Sequence, residues 1–522
     1  MSESVGRRRV GLVAALVVIA AAGSLAFHPD WRGFPLDDAY IHVVYAQNLA
    51  HGHGFCFNVG EPSIGTTSPL WTFLLAAAAV MRVGDLRVAA NLLSMALLVA
   101  SAPLVYLLAE RIIRGLGARA WEAAVLGAGA ALLVVANGNF LWFALDGMET
   151  TLFVFIGLAA CWAYERRGFT LLVGALLGLL ILTRPEGALL YLLLLIVQVA
   201  RARRGALRDW IGILLTIVIY AAWLLYSHSI TGSLLPTTFR GKTLSFIQTG
   251  WDARDISEYL RYLFGTQLWL FARPILVVVL LAPIALIYCA ARWRSSRART
   301  VLWLLAAWSV AHLAVYTVLF RFPYHYFRYL AILYAIAAII GAAGAWVILA
   351  PLRGLRRWVL AVLPLAALAA GLPSVPGWRA VYHDNVAHVG HLHETVGRWL
   401  AVNTAPTDTI ACFDVGAIKY YSGRRVVDLG GLVDPRAHRY MRGRRSRMGP
   451  YLIKQHVNIE VDLGNGMTGT DKDNGILYDR ALITGFTVSQ AALPAPYDQL
   501  PPPHSRYMIV YQIVPIPTLR HE

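Results

Sequence analysis

The sequence predicts a polytopic α-helical membrane protein of the order of eleven spans, followed by a small mixed α/β domain outside the membrane. Three observations predict it. Hydrophobic residues make up 58% of the 522-residue chain and charged residues only 14%, against roughly 25% charged in a soluble domain. Several apolar runs, 274–290 and 331–350 among them, reach the ~17–25 residues that a spanning helix needs. The basic residues gather in short connections between those runs.

Arg7, Arg8 and Arg9 precede the first apolar run, 10–27. Basic flanks stay on the cytoplasmic side, so this helix exits to the outer face. Its Ala-rich end resembles a signal-peptide cleavage site, but cleavage would leave everything downstream on the same side. Arginine clusters at 111–119, 166–167, 201–208, 292–299 and 353–357 mark further inner connections. They explain most of the net charge of +17 without invoking nucleic acid. Helices then fall at roughly 88–109, 120–137, 148–164, 169–184, 185–200, 208–228, 269–290, 300–320, 327–350 and 355–372. For every basic loop to lie inside, the 88–109 helix must run from outside to inside. The first helix has already ended outside, so the apolar run 69–83 cannot cross. At ~15 residues it suits an interfacial or re-entrant segment.

This reading divides the chain near residue 375. Residues 1–375 form the transmembrane domain, with a first outer loop at about 28–87, and residues 376–522 form an extracytoplasmic mixed α/β domain. There the composition turns richer in charge and turn residues. The stretch 384–402 reads as an amphipathic helix, with Val386, Val389, Val396, Trp399 and Leu400 near one face. Short β-branched runs at 409–413, 426–429 and 507–514 read as strands.

Cys161 and Cys289 lie in apolar runs as packing residues do. Cys56 and Cys412 fall in outer segments, where a disulfide is permitted, but nothing in the sequence brings them together. His388 and His391 have the spacing of metal ligands, yet a solvated helix face explains them and their neighbours His383 and His393 more simply.

The outer loops carry the costly polar residues. Asp37 and Asp38 precede an amphipathic stretch, 39–50. Adjacent carboxylates near an apolar surface tend to raise one pKa and leave the other ionised, which suits one of them to accept a proton from an attacking hydroxyl. The structural alternative makes Asp38 the N-cap of the next helix. Ser68-Pro69 reads as an N-cap with proline at the first helical position, whereas Glu61, just before it, has no local role. Asp146 and Glu149 have capping-box spacing. Thr183-Arg184-Pro185-Glu186-Gly187 reads as an outer turn, where Glu186 suits a helix N-terminus and Arg184 is unexplained by capping. Two further outer loops place cations among aromatics, Arg240 with Lys242 and Arg321 with His325 and Arg328. An anionic ligand would account for them; snorkelling to lipid head groups is the alternative.

The run Leu36-Asp37-Asp38-Ala39-Tyr40-Ile41, then Asn48-Leu49-Ala50, Gly52, Gly54, Phe57-Asn58, Gly60-Glu61, Thr67-Ser68 and Trp71, resembles the first outer loop of GT-C glycosyltransferases. It is most similar to the mycobacterial-type terminal arabinofuranosyltransferases, and more distantly to protein O-mannosyltransferases and aminoarabinose transferases. The likeness continues through Gly147-Met148-Glu149, Arg184-Pro185-Glu186, Leu235-Pro236, Asp414-Val415-Gly416-Ala417 and Ser422-Gly423-Arg424-Arg425. It implies a multi-pass protein of the bacterial cytoplasmic (inner) membrane with its active site and C-terminal domain on the extracytoplasmic side. It also implies transfer of arabinofuranose or a hexose such as mannose from a polyprenyl-phosphate donor to a glycan, lipid or protein acceptor. Carried onto this chain, Asp37 becomes the general base and Asp38 its orienting partner or a ligand to a divalent cation. Glu61, Asp146, Glu149, Arg184, Glu186 and His325 line the substrate, and Arg240, Lys242, Arg321 and Arg328 stabilise the leaving phosphate. No cofactor is firmly implied, and membrane lipids are the surroundings. The chain departs from the pattern at Pro62-Ser63-Ile64-Gly65, where related loops often carry a second glutamate, and at Lys419, where a small residue is expected.

Two rivals remain. A transporter or flippase for lipid-linked sugars would place its ionisable groups near the bilayer midplane on broken helices, whereas here they gather at outer helix ends. A glycan-binding assembly protein would make the paired aspartates structural.

Overall fold

In the computed structural model the described residues are 2–27, 30–201, 207–234, 237, 253–271, 273–292, 296–318, 324–440, 448–463, 478–487, 493, 495 and 507–515. Among them, six helical stretches are long and apolar enough to cross a membrane: Leu86–Gly115, Trp210–Thr231, Pro274–Ala291, Arg297–Val318, His325–Leu349 and Arg353–Asn403. Shorter apolar helices accompany them, including Ala120–Val135, Leu171–Thr183 and Gly187–Ala200. The protein is a polytopic helical membrane protein.

The chain opens with α1 (Ser2–Ala26), then α2 (Asp38–Ala50), the hairpin β1 (Cys56–Asn58) and β2 (Glu61–Pro62), and α3 (Pro69–Val80). The run expected not to cross becomes α3, 12 residues long, short for a ~30 Å hydrocarbon core at 1.5 Å per residue; the helix Leu171–Thr183, expected to span, is nearly as short at 13 residues, so length alone does not separate them. Next come α4 (Leu86–Gly115), α5 (Ala120–Val135), the short α6 (Gly138–Phe143), α7 (Thr150–Arg167), α8 (Leu171–Thr183), α9 (Gly187–Arg201) and α10 (Leu207–Thr231). Local chemistry sets several of these starts. The Asp85 carboxylate accepts from Arg87 N at 2.9 Å to open α4, and Asn137 accepts from the next two free amides to open α6. Helices approach closely where a side chain is missing: a Cβ on Gly174 of α8 would lie 2.0 Å from the carbonyl of Gly212 in α10, the small-residue packing of membrane helices. At the basic ends, buried Glu165 and Glu122 meet Arg111 at 2.9 Å and Arg356 at 3.1 Å.

The boundary expected near 375 falls within the nearly continuous helical stretch Arg353–Asn403. Its second part, Ser374–His388 running through a π-turn into Thr395–Asn403, contains the expected amphipathic helix. His388 and His393 are buried there rather than solvated, because this face packs under the sheet that follows. That sheet has five strands in the order β4-β3-β5-β7-β6, with β3 (Thr409–Cys412) parallel to β4 (Arg425–Asp428) and β5 (Ile459–Asp462), and β7 (Tyr507–Pro515) antiparallel to β5 and β6 (Tyr478–Thr487). Three strands match expectation; β5 and β6 were not anticipated. All four cysteines are free, Cys56 and Cys412 included.

One hydrophobic cluster joins the two ends of the chain. Ile41, Val44, Tyr45, Phe55, Phe57 and Ile64 of the first loop share it with Ile410, Val415, Ile418, Val426 and Val433.

Candidate functional site

The paired acids diverge. Asp38 is the first residue of α2, and Asp37, the residue before it, makes no side-chain cap bond. The expected capping role is filled by neither. Instead both Asp37 oxygens accept backbone N–H groups from the C-terminal region, Gly416 at 2.8 Å and Ala417 at 2.7 Å. Only glycine fits at 416, since a Cβ there would lie 2.1 Å from the Asp37 carbonyl oxygen. Burial pushes the Asp37 carboxyl up to about 6, opposed by His393, assisted by Asp414 and opposed again by the two backbone donors. His393 and Asp414 are themselves paired at 2.9 Å.

Asp38 keeps 30% of its side chain exposed and lies 3.6 Å from the guanidinium of Arg328, which is buried. Arg328 follows three non-glycine residues in the left-handed region, His325, Tyr326 and Phe327, at φ 54°, 56° and 59°. Such a run costs of order 1–3 kcal/mol per residue and persists only where its surroundings hold it. The guanidinium also lies 3.9 Å from Asp146 and 4.9 Å from the Tyr329 ring centroid. Among the described residues its Nε and Nη1 have no hydrogen-bond partner. Such a buried cation with open donors is primed for an anion.

Asp146 and Glu149 do not form a capping box. α7 begins at Thr150; Asp146 turns inward to accept from Met148 N at 2.8 Å and Thr150 Oγ1 at 2.6 Å. Burial pushes Asp146 up to about 7, against the pull of Arg328. Glu149 meets Arg184 at 2.8 Å. Arg184 also bonds Glu186 at 2.5 Å and Tyr316 at 2.9 Å, and sits 4.5 Å from the same Tyr329 ring. This buried pairing explains the arginine that capping left unassigned. The intervening Gly147 has φ 71°, and a Cβ there would lie 2.5 Å from Phe34.

His42, one turn beyond Asp38 on α2, was not singled out from sequence. It is buried, with Nδ1 at 3.0 Å from Thr72 Oγ1 and 3.1 Å from Thr66 Oγ1, and Nε2 at 3.7 Å from Glu149. Its place on the face of α2 that carries Asp38 was the available signal. Tyr316 likewise has no distinguishing local context, whereas Asp414 lies in the Asp414-Val415-Gly416-Ala417 stretch of the resemblance, which gave it no role of its own.

Glu61 lies elsewhere. Its carboxylate takes Arg425 at 2.5 Å and Arg436 at 2.6 Å, and these two arginines overcome burial to hold it below the ordinary glutamate range. Lys419 donates to the Arg424 carbonyl at 2.8 Å, and burial pulls it down to about 8. Arg240, Lys242 and Arg321 lie outside the described residues. Among the described residues no group of three or more His, Cys, Asp or Glu side chains is placed to hold a metal ion. Asp38 faces the Arg328 guanidinium, which competes with the cation expected of it.

Residues 379–504 match a family model described as a domain of unknown function (DUF8728). A terminal β-(1→2)-arabinofuranosyltransferase of Mycobacterium tuberculosis is 29% identical over 299 residues, covering 55% of this chain and 46% of that protein. The chain thus spans about half the length of that curated relative. Among solved structures, ArnT from Cupriavidus metallidurans bound to undecaprenyl phosphate superposes with a TM-score of 0.54 at 12% identity, covering 96% of this chain and 97% of that one. The arabinofuranosyltransferase AftD from Mycobacteria superposes at 0.52 with 16% identity, covering 97% of this chain and 40% of that one. The fold is that of the GT-C membrane glycosyltransferases.

Proposed function

We propose that this GT-C-fold membrane protein is a glycosyltransferase that moves a sugar, arabinofuranose or a hexose, from a polyprenyl-phosphate donor to a cell-envelope glycan or lipid acceptor. The observation that carries this reading is the buried Arg328, with two nitrogens that lack hydrogen-bond partners among the described residues and its guanidinium 3.6 Å from Asp38. A phosphate leaving group needs such a preorganised cation. Similar proteins, an arabinofuranosyltransferase and an ArnT bound to undecaprenyl phosphate, support the choice of sugar transfer and of donor.

In the proposed reaction the acceptor hydroxyl oxygen attacks the anomeric carbon from the face opposite the phosphate. The carbon–oxygen bond to phosphate breaks, its electron pair leaves on the polyprenyl phosphate, and the hydroxyl proton passes to the carboxylate base. The anomeric configuration inverts. Asp37 is the base in this proposal, since a carboxyl near 6 is a better proton acceptor than an ordinary aspartate. A second reading exchanges the roles: Asp38 keeps 30% of its side chain exposed, whereas Asp37 is 2% exposed. Arg328, with Arg240, Lys242 and Arg321, neutralises the departing phosphate; Glu149, Arg184, Glu186 and Asp146 shape the sugar site. The reaction side is the extracytoplasmic face of the cytoplasmic membrane, with 1–375 as the membrane domain and 376–522 outside.

The test is a donor screen on the purified full chain with polyprenyl-phosphate arabinofuranose, mannose, glucose and aminoarabinose. Transfer from one of them with inversion is expected. No turnover with any, alongside uptake or flipping in vesicles, would replace this reading with transport.

A further inference from the structure

The first loop and the C-terminal region meet through contacts that local folding does not require. Asn58, at the end of β1, is buried and exchanges two hydrogen bonds with the backbone of Val426: its Nδ2 donates to Val426 O at 2.8 Å and its Oδ1 accepts from Val426 N at 3.0 Å. The side-chain amide thus stands in for a neighbouring strand on the outer edge of β4. Three residues on, Glu61 binds Arg425 and Arg436, and Arg425 is steered by Gln455 through two further bonds. Gly65 approaches so closely that a Cβ would lie 2.5 Å from Val433. Asp37 receives the amides of Gly416 and Ala417. All these partners fall within the stretch 379–504 that matches a domain of unknown function.

We propose that this C-terminal stretch is a clamp that fixes the acidic first loop, with Asn58 and Glu61 as positioning residues for Asp37 and Asp38. The inference rests on the reading that those acids serve the transfer reaction. It gives Glu61 a role different from touching substrate, and the two roles separate kinetically. Misplacement of a reacting group by about 1 Å can cost on the order of 10²-fold in rate, while loss of a substrate contact raises KM.

The experiment uses the full chain in a lipid nanodisc with Glu61→Ala, Glu61→Gln and Asn58→Leu. Glu61→Ala and Asn58→Leu are expected to lower kcat roughly tenfold or more with donor KM within about twofold of wild type. Glu61→Gln keeps one acceptor oxygen and so can hold only one of the two arginines; it should recover only part of the rate lost in Glu61→Ala. A raised KM at unchanged kcat, or wild-type kinetics in both truncations, overturns the clamp. Amide hydrogen exchange across 56–62 and 409–428 is measured in parallel. Faster exchange in Glu61→Ala and Asn58→Leu than in wild type is expected, and unchanged exchange overturns the clamp even if the protein transfers no sugar. Absence of transfer by wild type would instead strike at the proposed function, so the two failures are distinguishable.

Discussion

Replacing Arg328 with glutamine tests the buried cation in two independent ways. The guanidinium stands 3.6 Å from Asp38 and 3.9 Å from Asp146. At an effective dielectric near 20, each contact is worth about 4 kcal/mol before desolvation is subtracted, and breaking a buried pair costs about 3–5 kcal/mol if the partner stays charged. Asp146 has an escape, because burial already lifts its carboxyl to about 7. Its folded value lies above the unfolded one, so its contribution to stability declines as pH rises between them. Without Arg328 the folded value moves higher still, and the decline extends further into the alkaline range. Arg328→Gln should therefore lower Tm more at pH 8 than at pH 6. The kinetic effect is separate: loss of a preorganised donor to the leaving phosphate should cost about 10²–10³ in kcat. Thermal unfolding at the two pH values and initial rates against donor concentration read both effects. A kcat at the wild-type level would refute the assignment to the leaving group, and a Tm deficit independent of pH would refute the coupling to Asp146.

Asp37→Asn should lower kcat by about 10²–10⁴, and the wild-type kcat/KM should fall as pH drops through about 6, where a carboxyl at that value takes up its proton. If Asp38→Asn shows the larger loss and Asp37→Asn only a modest one, the base is Asp38. Gly416→Ala puts a Cβ 2.1 Å from the Asp37 carbonyl and should cost roughly 1–3 kcal/mol of stability, read as a lower Tm together with reduced kcat.

Much of the fold was legible because the bilayer constrains it so strongly. The helix positions follow from apolar runs and arginine-rich ends. The site was legible in its residue types but not in its pairings. Arg184 and Glu149 are 35 residues apart, and Glu61 and Arg425 are 364 apart; no local pattern encodes either contact. Where a local rule was available it misled. The spacing of Asp146 and Glu149 suits a capping box, but Asp146 bonds Met148 N and Thr150 Oγ1 instead, Arg184 takes Glu149, and α7 starts later. His388 and His393 read as solvated because a helix's buried face cannot be assigned until the covering sheet is known. Two of that sheet's strands lacked a clear signal. β5 is only four residues long and half acidic, and β6 carries polar Asp479 and Arg480 at its start and glycine within it.

The central claim is sugar transfer from a polyprenyl phosphate at a carboxylate base facing a buried arginine. The most direct measurement is single-turnover transfer by the purified full chain, with the anomeric configuration of the product read by NMR, for wild type and Asp37→Asn. The account predicts an inverted glycosidic linkage from wild type and, from the variant, donor binding without transfer. Retention of configuration, or undiminished transfer by both Asp37→Asn and Asp38→Asn, would contradict it.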